Sequence, residues 1–237
     1  VAATLNISDS EFFNNRAGYG GGAIAAWEGH SNLFFSSVNF TENNANEYGG
    51  AVFLQTATLV EHSCTYTANT AGEIGGAFFL FYGSRYSSFG SSLVSNTAGR
   101  MGGAIYLYSD SSEVTLSSVT LQSNKQIGGG TDAEYGGGGL YLYSGAIANI
   151  RESTFIENEA TEGSTGNKHG HQIMTYGTPS VVIVNTKFTD IAGDNAFYGY
   201  DGSSGADKYV SPTTCSADEP CSASPFTGTC ADLGNEG

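Results

Sequence analysis

The feature that most constrains this chain is a unit of sequence that returns about every 27 residues. Phe12-Phe13-Asn14-Asn15-Arg16-Ala17, followed by Gly21-Gly22-Ala23-Ile24, recurs as Phe40-Thr41-Glu42-Asn43-Asn44-Ala45 with Gly49-Gly50-Ala51-Val52. It returns as Tyr66-Thr67-Ala68-Asn69-Thr70-Ala71 with Gly75-Gly76-Ala77-Phe78, then as Leu93-Val94-Ser95-Asn96-Thr97-Ala98 with Gly102-Gly103-Ala104-Ile105. In these four copies the Asn precedes the first glycine by six residues, and Asn15, Asn43, Asn69, Asn96 and Asn124 follow one another at intervals of 28, 26, 27 and 28. A fifth copy starts at Leu121 and resumes at Gly137-Gly138-Gly139-Leu140 after an insertion of about seven residues. The sixth runs from Phe155-Ile156-Glu157-Asn158 to Gly170-His171-Gln172-Ile173, and Phe188-Thr189-Asp190-Ile191 is a degenerate seventh start.

A unit this short cannot bury an apolar face alone, so neighbouring copies must stack. Alternating β-branched and aromatic residues, with no Leu-rich helical stretch, make each copy one coil of a parallel β-helix. The expected fold is therefore all-β: a right-handed single-stranded parallel β-helix of six to seven coils over 1–195. A loop-rich, disulfide-tied cap or connector is expected over 196–237. Paired glycines supply positive φ at a corner, and Asn tolerates the left-handed region while its amide reaches the Asn one coil away. That makes Asn15, Asn43, Asn69, Asn96, Asn124 and Asn158 a structural ladder. The Phe, Tyr or Leu three residues before each Asn should point inward. Two residues earlier, Val38, Cys64, Ser91, Val119, Ser153 and Thr186 should form a second inward column of small residues, with Cys64 acting as a small hydrophobe. Residues 125–136 and 159–169 read as loops on one corner. Leu5, Ile7 and Ser10 already follow the inward register, so the chain enters mid-coil, as expected of a longer parent chain or of copies stacking end to end.

Composition agrees with a placed use of glycine. There are 34 glycines in 237 residues, about twice the usual share, with no strict Gly-X-Y period, which excludes collagen. Eight Lys and Arg face 23 Asp and Glu, for a net charge of −15, so the surface should repel nucleic acid and anionic membranes. Cations, neutral glycans or other proteins are the expected partners. No apolar run is long enough to span a bilayer as a helix. Cys215, Cys221 and Cys230 crowd the end of the chain and point to at least one disulfide among them, hence to an oxidising, extracellular setting. The sequons Asn6-Ile7-Ser8 and Asn39-Phe40-Thr41 make Asn6 and Asn39 candidate glycosylation sites. A chain that begins at Val1 reads as a processed protein or an excised module.

The pairing of F-x-x-N, strict at Phe12, Phe40 and Phe155, with G-G-A-[I/V], strict at Gly21, Gly49 and Gly102, resembles the repeat of chlamydial polymorphic outer membrane proteins. Similar cell-surface β-helix proteins share it. The resemblance covers roughly residues 4–195 and implies a β-helix that is displayed at a surface and adhesive.

Strand alternation assigns faces to the segment after each glycine pair. Ile24, Val52, Phe78, Ile105, Leu140 and Ile173 point in, as do Ala26, Leu54, Leu80, Leu107, Leu142 and Thr175. Between them Ala25, Phe53, Phe79, Tyr106, Tyr141 and Met174 should point out, beside Trp27, Gln55, Phe81, Tyr108, Tyr143 and Tyr176. This is an aromatic wall two side chains wide, and such a patch marks an interface. Three readings compete for it: contact with another copy or another extracellular protein in a filament, sheath or surface layer; stacking on sugar rings; or plain strand propensity, or cover by the C-terminal segment.

Catalysis has to be sought residue by residue, because parallel β-helices also host polysaccharide lyases and epimerases. Asp132 and Glu134 in one insertion, with Lys168, His169 and His171 in the next, are the candidates. Glu134, Lys168 and His171 could serve acid–base chemistry on a uronic acid, and Asp132, His169 and His171 could bind a metal. All lie in glycine-rich, exposed loops on this reading, and the expectation is a protein that is not an enzyme and has no cofactor. Asp190, Asp194, Asp201 and Asp207 fit no calcium loop, although their density admits weak Ca²⁺ binding. No phosphate loop, nucleotide fingerprint or nucleophile elbow occurs, since the glycine runs precede strands. Glu73 and Arg100 should form an exposed pair one coil apart, and His30 and His62 read as surface residues.

Overall fold

A computed structural model describes residues 3–27, 30–109, 111–128, 135–161 and 171–189, and the backbone of 197–200 and 208–210. Every regular element among them is a strand, and the strands of successive coils stack in parallel into four sheets. The first sheet runs Thr4–Ser8, Asn32–Ser36, Thr58–His62, Arg85–Phe89, Glu113–Ser117, Ile147–Arg151 and Ser180–Val184. The second begins at Glu11–Phe13 and ends at Lys187–Thr189, and the third runs in two-residue strands from Arg16–Ala17 to Glu159–Ala160. The fourth begins at Ile24–Ala26 and reaches Ile173–Tyr176. Phe197–Tyr200 adds one more parallel strand to it, and Lys208–Val210 pairs with that strand antiparallel. The chain is thus the parallel β-helix that its repeat requires.

The core lies inside the coil. Val52, Leu54, Phe78, Leu80, Ile105, Leu107, Leu140, Leu142 and Ile173 of the fourth sheet are buried there with Leu33, Phe35, Leu59, Val114, Leu116 and Ile150 of the first. The position three residues before the Asn points inward as expected. Phe12, Phe40 and Tyr66 stack at 4.9 and 4.7 Å with their planes 4° apart in each case. Cys64 is buried in the adjacent column of small residues, where its amide donates to Ser91 Oγ at 3.0 Å.

The Asn ladder runs through this core. Asn15, Asn43, Asn69, Asn96 and Asn124 each donate from Nδ2 to Oδ1 of the next Asn at 2.8–3.0 Å. The backbone amide of each donates to the same oxygen. From Asn43 onward the second Nδ2 proton goes to the carbonyl of the residue that begins the preceding coil's motif, such as Tyr66 for Asn96 at 2.9 Å. An interior carboxamide in this arrangement has both donors and both lone pairs used, which is what removing a polar group from water demands.

The corners correct one expectation. Positive φ falls on the residue before each ladder Asn, at Asn14, Glu42, Ala68, Ser95, Ser123 and Glu157, with φ between 49 and 56°, and not on the Asn. The Asn must keep strand-like geometry to aim its amide and side chain along the ladder, so its predecessor makes the turn. Both members of the glycine pair are needed for space, and the first also for its backbone angle. Gly102 has φ of 62° and a Cβ on it would lie 2.4 Å from the Ile105 carbonyl oxygen, while a Cβ on Gly103 would lie 2.2 Å from the Gly138 carbonyl oxygen of the next coil.

The loops expected over 125–136 and 159–169 begin later than the sequence suggests. Lys125–Gln126 and Glu159–Ala160 remain strands of the third sheet. From the third sheet to the fourth, Ala98 to Ile105 is seven positions, Gln126 to Leu140 fourteen and Ala160 to Ile173 thirteen, so both insertions enter at the same corner.

Replacing Asn96 with Ala removes both the acceptor for Asn69 and the donors to Asn124 and Tyr66. With each orphaned buried group costing about 1–3 kcal/mol, equilibrium urea unfolding should show Asn96→Ala destabilised by about 3 kcal/mol or more.

Candidate functional site

The outer face of the fourth sheet carries the aromatic columns, and it differs from the wall expected of it. Phe53, Phe79, Tyr106, Tyr141 and Met174 do point away from the coil interior, yet they are buried, Phe53 being only 2% exposed. The cover comes from the segment just before each glycine pair. Tyr48, Ile74 and Met101 form isolated parallel bridges from coil to coil and fold over the outer column. The result is a second apolar cluster outside the coil, with rings of adjacent coils 5.0–5.4 Å apart from Phe53 to Tyr141. Phe53, Phe79, Tyr106 and Tyr141 therefore hold the coils together and are not accessible to a partner. The sequence signal for the cover is the apolar residue before Gly49, Gly75 and Gly102, a position held by Gly20 and Gly136 in the first and fifth coils.

The neighbouring column reaches solvent. Trp27 is 48% exposed, and Phe81, Tyr108, Tyr143 and Tyr176 are half-buried. Tyr82, 52% exposed, packs on Phe81 with ring centroids 3.9 Å apart. At the far end the rings stack face to face: Tyr108 on Tyr143 at 5.0 Å and 11°, Tyr143 on Tyr176 at 4.9 Å and 2°. Both faces of Tyr143 are covered by its neighbours, so this part of the strip presents ring edges. A sugar stacks on an aromatic face, whereas ring edges and phenol groups suit a protein surface.

Of the acid–base and metal candidates, Asp132, Glu134, Lys168 and His169 lie outside the described residues, as do Asp190, Asp194, Asp201, Asp207, Cys215, Cys221 and Cys230. His171 was expected in an exposed loop. It is buried instead, and its Nδ1 accepts the Ala160 backbone amide at 3.1 Å. Ala160 is in the last third-sheet strand among the described residues, and its counterparts Ala71, Ala98 and Gln126 pair with a strand of the next coil. Beside it Gln172 Oε1 accepts from Asn158 Nδ2, standing where the next ladder Asn would be, and Gln172 Nε2 donates to the Thr189 carbonyl. The chain has Ile191 at that ladder position. His171 and Gln172 thus take over from a Gly-Ala pair to satisfy the end of the ladder. Arg100 and Glu73 meet at 3.8 Å on the surface, and exposed His62 stacks on Phe89 at 4.9 Å.

A polar cluster inside the coil escaped the repeat pattern. Glu61 shares the inward phase of Thr58–His62 with Leu59 and is fully buried. It accepts hydrogen bonds from the Tyr66 hydroxyl, from Tyr86 Oη at 2.7 Å and from Ser88 Oγ at 2.9 Å. Burial pushes its carboxyl above the usual range, against the opposing pull of these hydroxyls, and burial with the Glu61 charge pushes the Cys64 thiol up to about 12.

Because folded Glu61 holds its proton to higher pH than the unfolded chain does, the folded state binds more protons and stability falls as pH rises. The window opens near the ordinary value of 4.5 and closes at the raised one. Urea unfolding of the native chain and of Glu61→Gln across pH should show the native chain losing stability relative to the variant through that window. A pH-independent difference would remove Glu61 as the cause.

A family model described as the Chlamydia polymorphic membrane protein repeat matches residues 9–26, from the turn before Glu11–Phe13 through Ile24–Ala26. The match is short and falls on the first coil, and it agrees with the resemblance carried by F-x-x-N and G-G-A-[I/V]. No curated protein and no solved structure matches the chain. The chain is therefore similar to the Chlamydia polymorphic membrane protein repeat over one coil of a unit that it repeats along its length.

Proposed function

We propose that this protein is an extracellular structural or adhesive solenoid, not an enzyme, that packs its Trp27–Tyr176 strip against protein, foremost a second copy of itself. The observation that carries this reading is the strip of solvent-reaching aromatics on one face of the stacked coils: Trp27, Phe81, Tyr82, Tyr108, Tyr143 and Tyr176. Trp and Tyr are the side chains that concentrate binding energy in protein interfaces. The edge-on presentation of Tyr143 favours a protein partner over the sugar-stacking alternative. A filament, sheath or surface layer is the assembly that such a side-on contact would build.

The proposed non-enzymatic role draws support from His171, whose Nδ1 is engaged by the Ala160 amide. With a net charge of −15, copies repel one another at low ionic strength, so association should strengthen as salt screens that repulsion.

Sedimentation velocity over a range of protein and salt concentrations tests this. Concentration-dependent association should grow with salt and be lost in the Trp27→Ser/Tyr82→Ser double variant, whose substitutions fall on exposed side chains. A chain that stays monomeric throughout contradicts the self-packing reading. Retention of that monomer on an immobilised polysaccharide would favour glycan binding.

A further inference from the structure

The outer face of the first sheet holds a second candidate surface feature, at its first strand. In Thr4–Ser8 the side chains of Asn6 and Ser8 are exposed, while Ile7 between them packs against the core. The strand thus displays both recognised residues of the Asn6-Ile7-Ser8 sequon on one accessible face. The Asn6 carboxamide makes no hydrogen bond among the described residues. Its partner in register on the next coil is Phe34, which leaves 44% of its surface exposed, and the next along that row is Val60. Ser8 lies in register with Ser36 and then His62. Asn6, Ser8, Phe34, Ser36, Val60 and His62 line a shallow, open concavity of about 300 Å³. The acceptor Asn, an apolar ring, two hydroxyls and an imidazole thus share one lining.

The second sequon is arranged differently. Asn39 is exposed on the second sheet, but its Oδ1 accepts the Thr65 hydroxyl at 2.7 Å, and the residue between the sequon positions is the buried Phe40 of the ring stack.

We propose that Asn6 carries an N-linked glycan whose first N-acetylhexosamine occupies this concavity, with its apolar face and acetamido methyl on Phe34 and its hydroxyls toward Ser8, Ser36 and His62. In the attachment step Asn6 Nδ2 loses a proton and forms the bond to C1 of the sugar, as the bond from C1 to a lipid diphosphate donor breaks and the diphosphate leaves. The donor is a lipid-diphosphate-linked oligosaccharide of a secretory compartment, so the proposal rests on the extracellular placement proposed above. Seated there, the sugar covers the exposed Phe34, which otherwise contacts water.

The test uses the protein recovered from its native source, with surface and internal fractions kept apart. Glycopeptide mass spectrometry should find the peptide with Asn6 modified, and enzymatic release should convert Asn6 to Asp. An unmodified Asn6 overturns the proposal. If the unmodified protein comes from the surface fraction, the extracellular reading stands without it; if it comes only from inside the cell, both fall. Seating on Phe34 is tested by trimming. Complete release should lower the unfolding midpoint by about 2–4 °C, the shift expected for loss of one aromatic contact, while trimming to the first sugar leaves it in place. Phe34→Ser should abolish that difference, and an equal loss on trimming and on full release would overturn the seating.

Discussion

The buried Asn ladder is the constraint on which the rest of the structure depends. A carboxamide inside an apolar core is tolerable only if all its donors and acceptors are used, and along this axis they are used only when one Asn stands directly above another. The ladder therefore fixes the register of every coil, since a slip of one residue would strand two carboxamides and turn each adjoining strand inside out. The stacked Phe12, Phe40 and Tyr66 rings and the small-residue column at Cys64 follow from that alignment. So does the glycine corner: coils held this close leave no room for a Cβ at Gly103, where the next coil's carbonyl would be 2.2 Å away.

The same alignment builds a second layer on the outside. Once the fourth-sheet strands are in register, Phe53, Phe79, Tyr106 and Tyr141 form a column that water would have to cover, and Tyr48, Ile74 and Met101 cover it instead. What stays accessible is the row beside it, from Trp27 to Tyr176. The division between a structural and a displayed aromatic column is thus set by how far the corner segment reaches across the sheet. The ladder also has a built terminus. Gln172 meets Asn158, and His171 meets Ala160, at the coil where the Gly-Ala pattern lapses and Ile191 replaces the Asn.

Much of this was legible in the sequence because repetition writes the same physical demand several times. Asn15 through Asn158, the Phe or Leu three residues before, and the column of Val38 and Cys64 all declare inward positions by recurring in phase. What was not legible depends on neighbours outside the motif. The turn residue before each Asn varies among Asn14, Glu42, Ala68, Ser95, Ser123 and Glu157, so no residue type marks it as left-handed. The burial of Phe79 is decided by Ile74 and Met101, which lie off the strand whose alternation was read. Glu61, with Ser88 in register on the next coil, interrupts an otherwise apolar inward column, and it is supported by the hydroxyls of Ser88, Tyr66 and Tyr86. His171 looked like a loop residue because its glycine-rich surroundings are polar, yet it fills a place left by the end of the ladder.

The most direct measurement of the central claim is amide hydrogen exchange resolved to single residues. The backbone amides of Asn69, Asn96 and Asn124, each donating to the carboxamide oxygen of the next coil, should be among the slowest in the chain and should exchange only with global unfolding. Exchange of these amides at rates typical of solvated loops, while the strands around them stay protected, would contradict a structure organised on the ladder.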